Sequence, residues 1–125
     1  MFAPNDQLTS LEGTISIVYA GSFFHLFSYA QQLYIAKLIV RLLKPVPGSM
    51  LLGRQVGTAT PTEVSRPGSS VYLHDQHSWK EMWEKVGAET GTKWDVQAEL
   101  DETGFEQERK QYEQVRRIHF VIKRL

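Results

Sequence analysis

Apolar positions along the chain fall into blocks whose spacing switches between strand-like and helix-like. Thr14-Ile15-Ser16-Ile17-Val18-Tyr19-Ala20 is β-branched and apolar on both faces, the pattern of a strand covered on both sides in a parallel sheet. Gly21-Ser22 breaks it, and Phe23-Phe24-His25-Leu26-Phe27 forms an aromatic corner. Ser28 and Gln31 stand at capping-box spacing, and apolar residues follow at 29, 33, 36, 40 and 43, with a second row at 35, 38, 39 and 42. So wide an apolar arc predicts a helix buried over much of its surface. Pro45, Pro47 and Gly48 end it.

Residues 49–57 read as a second buried strand, so that strand, helix and strand make one right-handed βαβ unit. The stretch from Thr58 to Ser70 is rich in Thr, Pro, Ser and Gly and reads as a surface loop. It leaves the strand at the end where open α/β sheets place their ligands. Ser78 and Glu81 form a second capping-box pattern, opening a helix with Trp79, Met82, Trp83 and Val86 on one face and Gly87 or Gly91 as its stop. Trp94, Val96, Ala98 and Leu100 alternate with polar residues, the mark of a strand with one wet face. Phe105 to Gln114 is charge-rich and reads as a solvated helical turn or loop, and Ile118, Phe120 and Ile122 make a last strand.

Composition narrows the class without changing the pattern. A length of 125 residues, 42% hydrophobic, fits a single domain over 1–125 that can bury a core. Lys+Arg and Asp+Glu both total 14, so no global field attracts nucleic acid or acidic membranes. The absence of cysteine removes disulfides and thiolate metal sites. The longest apolar stretch, 33–43, carries Lys37 and Arg41 and is too short to span a bilayer, and the first residues lack a signal-peptide pattern. A soluble cytoplasmic protein with a small ligand or a protein partner is the expectation.

The order strand–helix–strand–long loop–helix–strand–strand resembles the C-terminal half of class I S-adenosylmethionine-dependent methyltransferases. The wording is closer still to the fungal methyltransferases of polyketide–terpenoid (meroterpenoid) gene clusters. It is carried by 19–27 (YAGSFFHLF), Leu43-Lys44-Pro45, Pro47-Gly48-Ser49, 53–57 (GRQVG), His74-Asp75, Ser78-Trp79, 83–87 (WEKVG) and 90–94 (TGTKW). The resemblance implies a truncated Rossmann-like half-sheet of about four strands with flanking helices. In that family a glycine-rich loop and an acidic residue hold the cofactor, and both precede the matching region. No G-x-G occurs in this chain, and what the resemblance leaves of the cofactor site is its outer wall, Ala20 to Phe23. No cofactor, no metal and no methyl transfer by the chain alone are expected. The strand over 14–20 would lie in mid-sheet in the full fold, so its bare edge calls for cover, met most simply by a homodimer.

Three residues are candidate acid/base groups. His25 follows the first strand on the rim, where it either moves protons or is a hydrogen-bonded histidine inside the aromatic corner. Arg54 either clamps a carboxylate or carbonyl, or pairs with Glu63 or Asp75. His74 stands before the helix, facing the long loop, while Asp75 and His77 read better as helix caps. As metal ligands these histidines lack a third partner at clear spacing. Tyr19, Ser22, Phe23, Phe24, Gln55 and Tyr72 are candidates to line a substrate. Trp79, Trp83 and Phe105, like Phe23, Phe24 and Phe27, are either cavity lining or core, and His119 reads as a surface residue. Together these point to a cofactor-independent enzyme of fungal secondary metabolism that isomerises or cyclises a polyketide–terpenoid intermediate as a homodimer. The alternative is a non-catalytic remnant that docks on a partner methyltransferase, or an inactive fragment.

Overall fold

The computed structural model describes residues 10–101 and 114–125. Strand β1 (Ile17–Gly21) leads through a short 3-10 turn (Phe24–Leu26) into helix α1 (Tyr29–Leu42) and then strand β2 (Met50–Thr58). A hairpin of β3 (Thr62–Arg66) and β4 (Ser69–Leu73) precedes helix α2 (Gln76–Thr90), and β5 (Trp94–Asp101) and β6 (Val115–Arg124) complete the order. The main sheet runs β1-β2-β6-β5: β1 and β2 are parallel, while β6 is antiparallel to both its neighbours. This is the α/β half-sheet of four strands with flanking helices that the sequence leads one to expect. Among the described residues no helix is long and apolar enough to cross a membrane.

Register decides which face each side chain takes. Ala20, Gly53, Phe120 and Ala98 lie in one row across the four strands. That row belongs to the face that packs on Ala36, Ile39 and Val40 of α1 and on Trp79, Met82, Trp83 and Val86 of α2. Burying one such large apolar side chain stabilises by about 1.5–3 kcal/mol. The next row, Tyr19, Leu52, Val121 and Gln97, takes the opposite face. No described helix covers it: Ile17 is 58% and Tyr19 62% exposed. The expectation of a first strand covered on both faces is therefore corrected, because α1 and α2 pack on the same side of the sheet.

Three boundaries also move. The surface loop expected over 58–70 is a hairpin whose Arg66↔Ser69 pair encloses Pro67-Gly68, with Gly68 at φ +76°. Proline followed by a left-handed glycine is the chemistry of a type II turn, and it outweighed the polar composition. Helix α2 is capped by Asp75, as expected of that residue, and Ser78 is the third helical residue rather than the cap: Asp75 Oδ1 accepts from the Ser78 amide at 2.7 Å, and Ser78 Oγ accepts from the Asp75 amide at 3.1 Å. Gly91, at φ +71°, is the stop, while Gly87 is buried inside the helix. The capping box of α1, Ser28 with Gln31, forms as the sequence predicts. The expected turn over 105–114 lies outside the described residues except for Gln114.

At Gly53 β1 leaves no room for a side chain, since a Cβ there would collide with the Ala20 carbonyl and press on the Phe120 ring. Overpacking of this kind costs on the order of 1–3 kcal/mol. Gly53→Ala is therefore expected to lower the unfolding free energy measured in urea by about 1–3 kcal/mol, and a loss below about 0.5 kcal/mol would refute the close approach.

Candidate functional site

Strand β1 ends in a tight bend that sets the geometry of the rim. Ser22 adopts φ 52°, a left-handed conformation uncommon for a side-chain-bearing residue, and its amide donates to the Arg54 carbonyl at 2.8 Å. The bend sends the two following phenylalanines in different directions. Phe24 is fully buried, edge-to-face on Trp79 at 5.0 Å. Phe23 stays partly exposed, packed on Phe24 and Phe27. Together with Val18, Ile35 and Leu38 it lines an apolar groove of about 350 Å³ along the free edge of β1.

His25 Nδ1 accepts a hydrogen bond from the Val56 amide at 3.2 Å. Burial, with a lesser contribution from the Arg66 guanidinium, lowers its pKa below the ordinary histidine value. At neutral pH it is therefore an uncharged ring tied to β2.

His74 is not at the rim, which corrects its expected position facing the long loop. It is 1% exposed, with Nδ1 2.8 Å from Ser78 Oγ and Nε2 2.9 Å from Gln32 Oε1. Gln32 spends its amide hydrogens on the carbonyls of Phe27 and Tyr72, at 3.0 and 2.9 Å. Its oxygen must therefore accept from His74 Nε2–H, which leaves Nδ1 to accept from Ser78. This network ties the aromatic corner, α1, β4 and the start of α2 together inside an edge-to-face stack of Tyr29, Tyr72, His74 and Trp79. Both nitrogens are engaged within the protein.

Arg54 also lies apart from His25 and His74. Neither Glu63 nor Asp75 pairs with it, since Glu63 accepts from Ser70 Oγ and Asp75 caps α2. It stands on the open face of the sheet, directly across from His119 in the β2–β6 register. There, with Tyr19, Leu52, Gln97 and Val121, it lines an open groove of about 530 Å³. His119 Nε2 is 2.6 Å from Asp101 Oδ2, so it is a half-exposed surface histidine with a carboxylate partner.

The structure thus scatters the three acid/base candidates over a rim, an interior and a sheet face. Of the lining candidates, Ser22 and Phe23 stay at the rim, Tyr19 turns to the open face, and Phe24 is core. Gln55 is buried with no partner for its Oε1 among the described residues. Tyr72 is half-buried, and burial pushes its phenol pKa up. Trp79 and Trp83 are core, His77 is exposed in the first turn of α2, and Phe105 lies outside the described residues. Gln32 is the residue the sequence reading passed over. Its signal was a polar side chain in the apolar row, three after Tyr29 and four before Ala36.

The wall from Ala20 to Phe23 does not by itself fit a nucleotide-like cofactor. Its Ser22 amide is already spent on Arg54, and no carboxylate stands on it to hold a ribose. Among the described residues no cluster of His, Asp and Glu is arranged for a metal ion.

Fold and rim together define an incomplete methyltransferase-like half-sheet, and sequence comparison agrees. No family model matches the chain. It is 43% identical over 96% of its length to the O-methyltransferase phiE of Fungal sp. (strain ATCC 74256), covering 46% of that protein. It is 39% identical over 94% of its length to the O-methyltransferase atr3 of Stereocaulon alpinum, covering 35%. Over 74% of its length it is 37% identical to the asnovolin E/chermesin D methyltransferase nvfJ of Aspergillus novofumigatus, covering 34%. By sequence the chain belongs with these fungal methyltransferases, and it spans less than half the length of each.

The buried network carries a pH dependence whose sign is fixed. Burial lowers the His74 pKa from 6.5 to about 4, partly opposed by the Asp75 carboxylate. The unfolded chain binds the proton at the ordinary pKa, so this stability is complete above pH 6.5 and drains away as the pH falls toward 4. The loss amounts to about 3 kcal/mol. In denaturation series at pH 7 and pH 4.5, wild type should lose more stability than His74→Gln by about 2 kcal/mol; equal losses would contradict the assignment.

Proposed function

We propose that the chain is the substrate-side half of a methyltransferase unit of fungal secondary metabolism. In this reading it supplies the rim and the outer wall, and a second, glycine-loop-bearing half supplies the cofactor site. The bare apolar surface of β1 carries the proposal. Ile17 and Tyr19 are exposed side chains on a strand whose outer edge pairs with no described strand. That strand contains no charge or proline to deter pairing. Relatives more than twice as long, named for methyl transfer, support the identity of the covering half. The names asnovolin E and chermesin D on one relative support a small natural product as the substrate class. Whether the covering half lies on the same polypeptide or another, the surfaces it must fit are the same.

A second reading is favoured by the same edge. Two copies pairing β1 against β1 would close it by two-fold symmetry. The Arg54, His119 and Asp101 side chains on the open face would then be the acid/base groups of a cofactor-independent isomerase or cyclase acting on a polyketide–terpenoid intermediate. This reading needs catalytic groups other than the set of His25, Arg54 and His74, which do not converge.

The two readings separate in one calorimetric experiment with S-adenosylmethionine as the probe. The chain alone should show no binding, and the chain mixed with the unmatched portion of phiE should bind it. Binding by the chain alone, or none by the mixture despite complex formation, would overturn the proposal. For the second reading, sedimentation at micromolar concentration should show a dimer in the chain alone; a stable monomer excludes it.

A further inference from the structure

The open face of the sheet divides by charge. On the β5–β6 side the cross-strand pairs are Asp95↔Lys123, Glu99↔His119 and Asp101↔Arg117, an acid on β5 against a base on β6 each time. The His119 ring also sits 2.6 Å from Asp101 Oδ2. Opposed groups of this kind balance one another and suit water. On the β1–β2 side the same face carries Ile17, Tyr19, Met50 and Leu52, with Val121 beside them on β6.

Arg54 ends that apolar strip, and it has no such match. Its register neighbours are Gly21 on β1 and His119 on β6, and His119 already serves Asp101. The acid in its own row, Glu99, stands two strands away, about 10 Å across the sheet. Among the described residues no carboxylate pairs with the Arg54 side chain. It is exposed at the groove of about 530 Å³ that Tyr19, Leu52 and Val121 also line. In water an unpaired guanidinium is stable. Under an apolar cover it loses its hydration, a penalty that a hydrogen-bonded carboxylate must offset.

Given the covering half of the reading above, we infer that it lays an amphipathic helix over Ile17, Tyr19, Leu52 and Val121, with an Asp or Glu carboxylate paired to Arg54. A helix is the element that covers the open face of parallel strands. The strip from Ile17 to the level of Arg54 is about 13 Å long, which about two and a half helical turns span. The guanidinium fork takes a carboxylate in two parallel hydrogen bonds, so Arg54 sets the register of the helix as well as neutralising the covered charge. The footprint stops at β6, because the acids of β5 already have bases across from them and would lose hydration without gaining a partner. More than half of phiE lies outside the matched region, ample length for such a helix.

Calorimetric titration of the unmatched portion of phiE into the full chain and its variants is the test. Arg54→Gln should weaken binding about thirtyfold, the cost of leaving one partner of a covered charge pair alone, and Arg54→Lys should recover part of it. Glu99→Gln, beyond the footprint, should bind like wild type. Without the second half, Arg54→Gln should melt with wild type, so its loss of binding is separate from folding; a lowered melting temperature would reveal a partner within the chain and overturn the inference. Equal affinities of wild type and Arg54→Gln, or an equal loss in Glu99→Gln, would also overturn it, while S-adenosylmethionine binding by the same mixture keeps the half-fold reading standing. Absence of any complex with wild type would sink both. A dimer of the chain alone that Arg54→Gln dissociates would put a second copy on this face and overturn the helix as its occupant.

Discussion

Burial on one side only is the constraint from which the rest of this structure follows. Both α1 and α2 pack on the face of the sheet that carries Ala20, Leu51, Phe120 and Ile122. The other face shows water Ile17 and Tyr19. Toward β5 and β6 that face turns polar, with Gln97, Glu99 and His119, so it suits solvent there and poorly at β1 and β2. Parallel strands are stable where both faces are covered. Among the described residues the parallel pair also carries one of the sheet's two edges, β5 carrying the other, so on β1 an unpaired edge and an uncovered apolar face coincide.

What the chain lacks on that side it offsets with specific bonding on the other. Gln32, His74 and Ser78 form a polar chain with both histidine nitrogens engaged. Around it, Phe24, Trp79, Trp83 and Trp94 continue an edge-to-face path from the rim to β5. A satisfied network in a dry interior fixes one arrangement of the elements around it, because any slip would strand a buried polar group. The rim inherits that rigidity: the bend at Ser22, the turn of Phe24 and the His25–Val56 bond all sit on a braced platform.

Much of this was legible in the sequence, and the gaps have physical reasons. The alternation from Trp94 to Leu100 and the stripe of Trp79, Met82, Trp83 and Val86 became β5 and the buried face of α2, because in both cases packing follows periodicity directly. The two-sided apolar pattern of 14–20 predicts two covered faces. Periodicity reports what a residue prefers, and it cannot report whether a covering element is present. The hairpin β3–β4 was hidden by its polar composition, although Pro67-Gly68 marked its turn. The place of His74 between the long loop and the helix predicts a residue facing that loop. Its burial depends on Gln32, 42 residues away in the chain, and a long-range pairing of that kind leaves no local trace.

The candidate site was legible in part. The bend at Gly21-Ser22 and the position of His25 at the strand end could be anticipated from the strand–turn pattern. The dispersal of His25, Arg54 and His74 could not, because it rests on which face of β2 Arg54 takes and on the buried network. The central claim is that β1 is an unfinished surface, and alternation along the strand names the groups that should report it. The Ser22 amide and the Ser16 carbonyl both bond to β2, so the amides of Ile17, Tyr19 and Gly21 point to the free edge. Hydrogen exchange of those three amides, measured where the chain is monomeric and again with the unmatched portion of phiE added, tests the claim most directly. Fast exchange alone and β2-like protection in the mixture is the predicted result; protection already equal to β2 in the isolated monomer would contradict it.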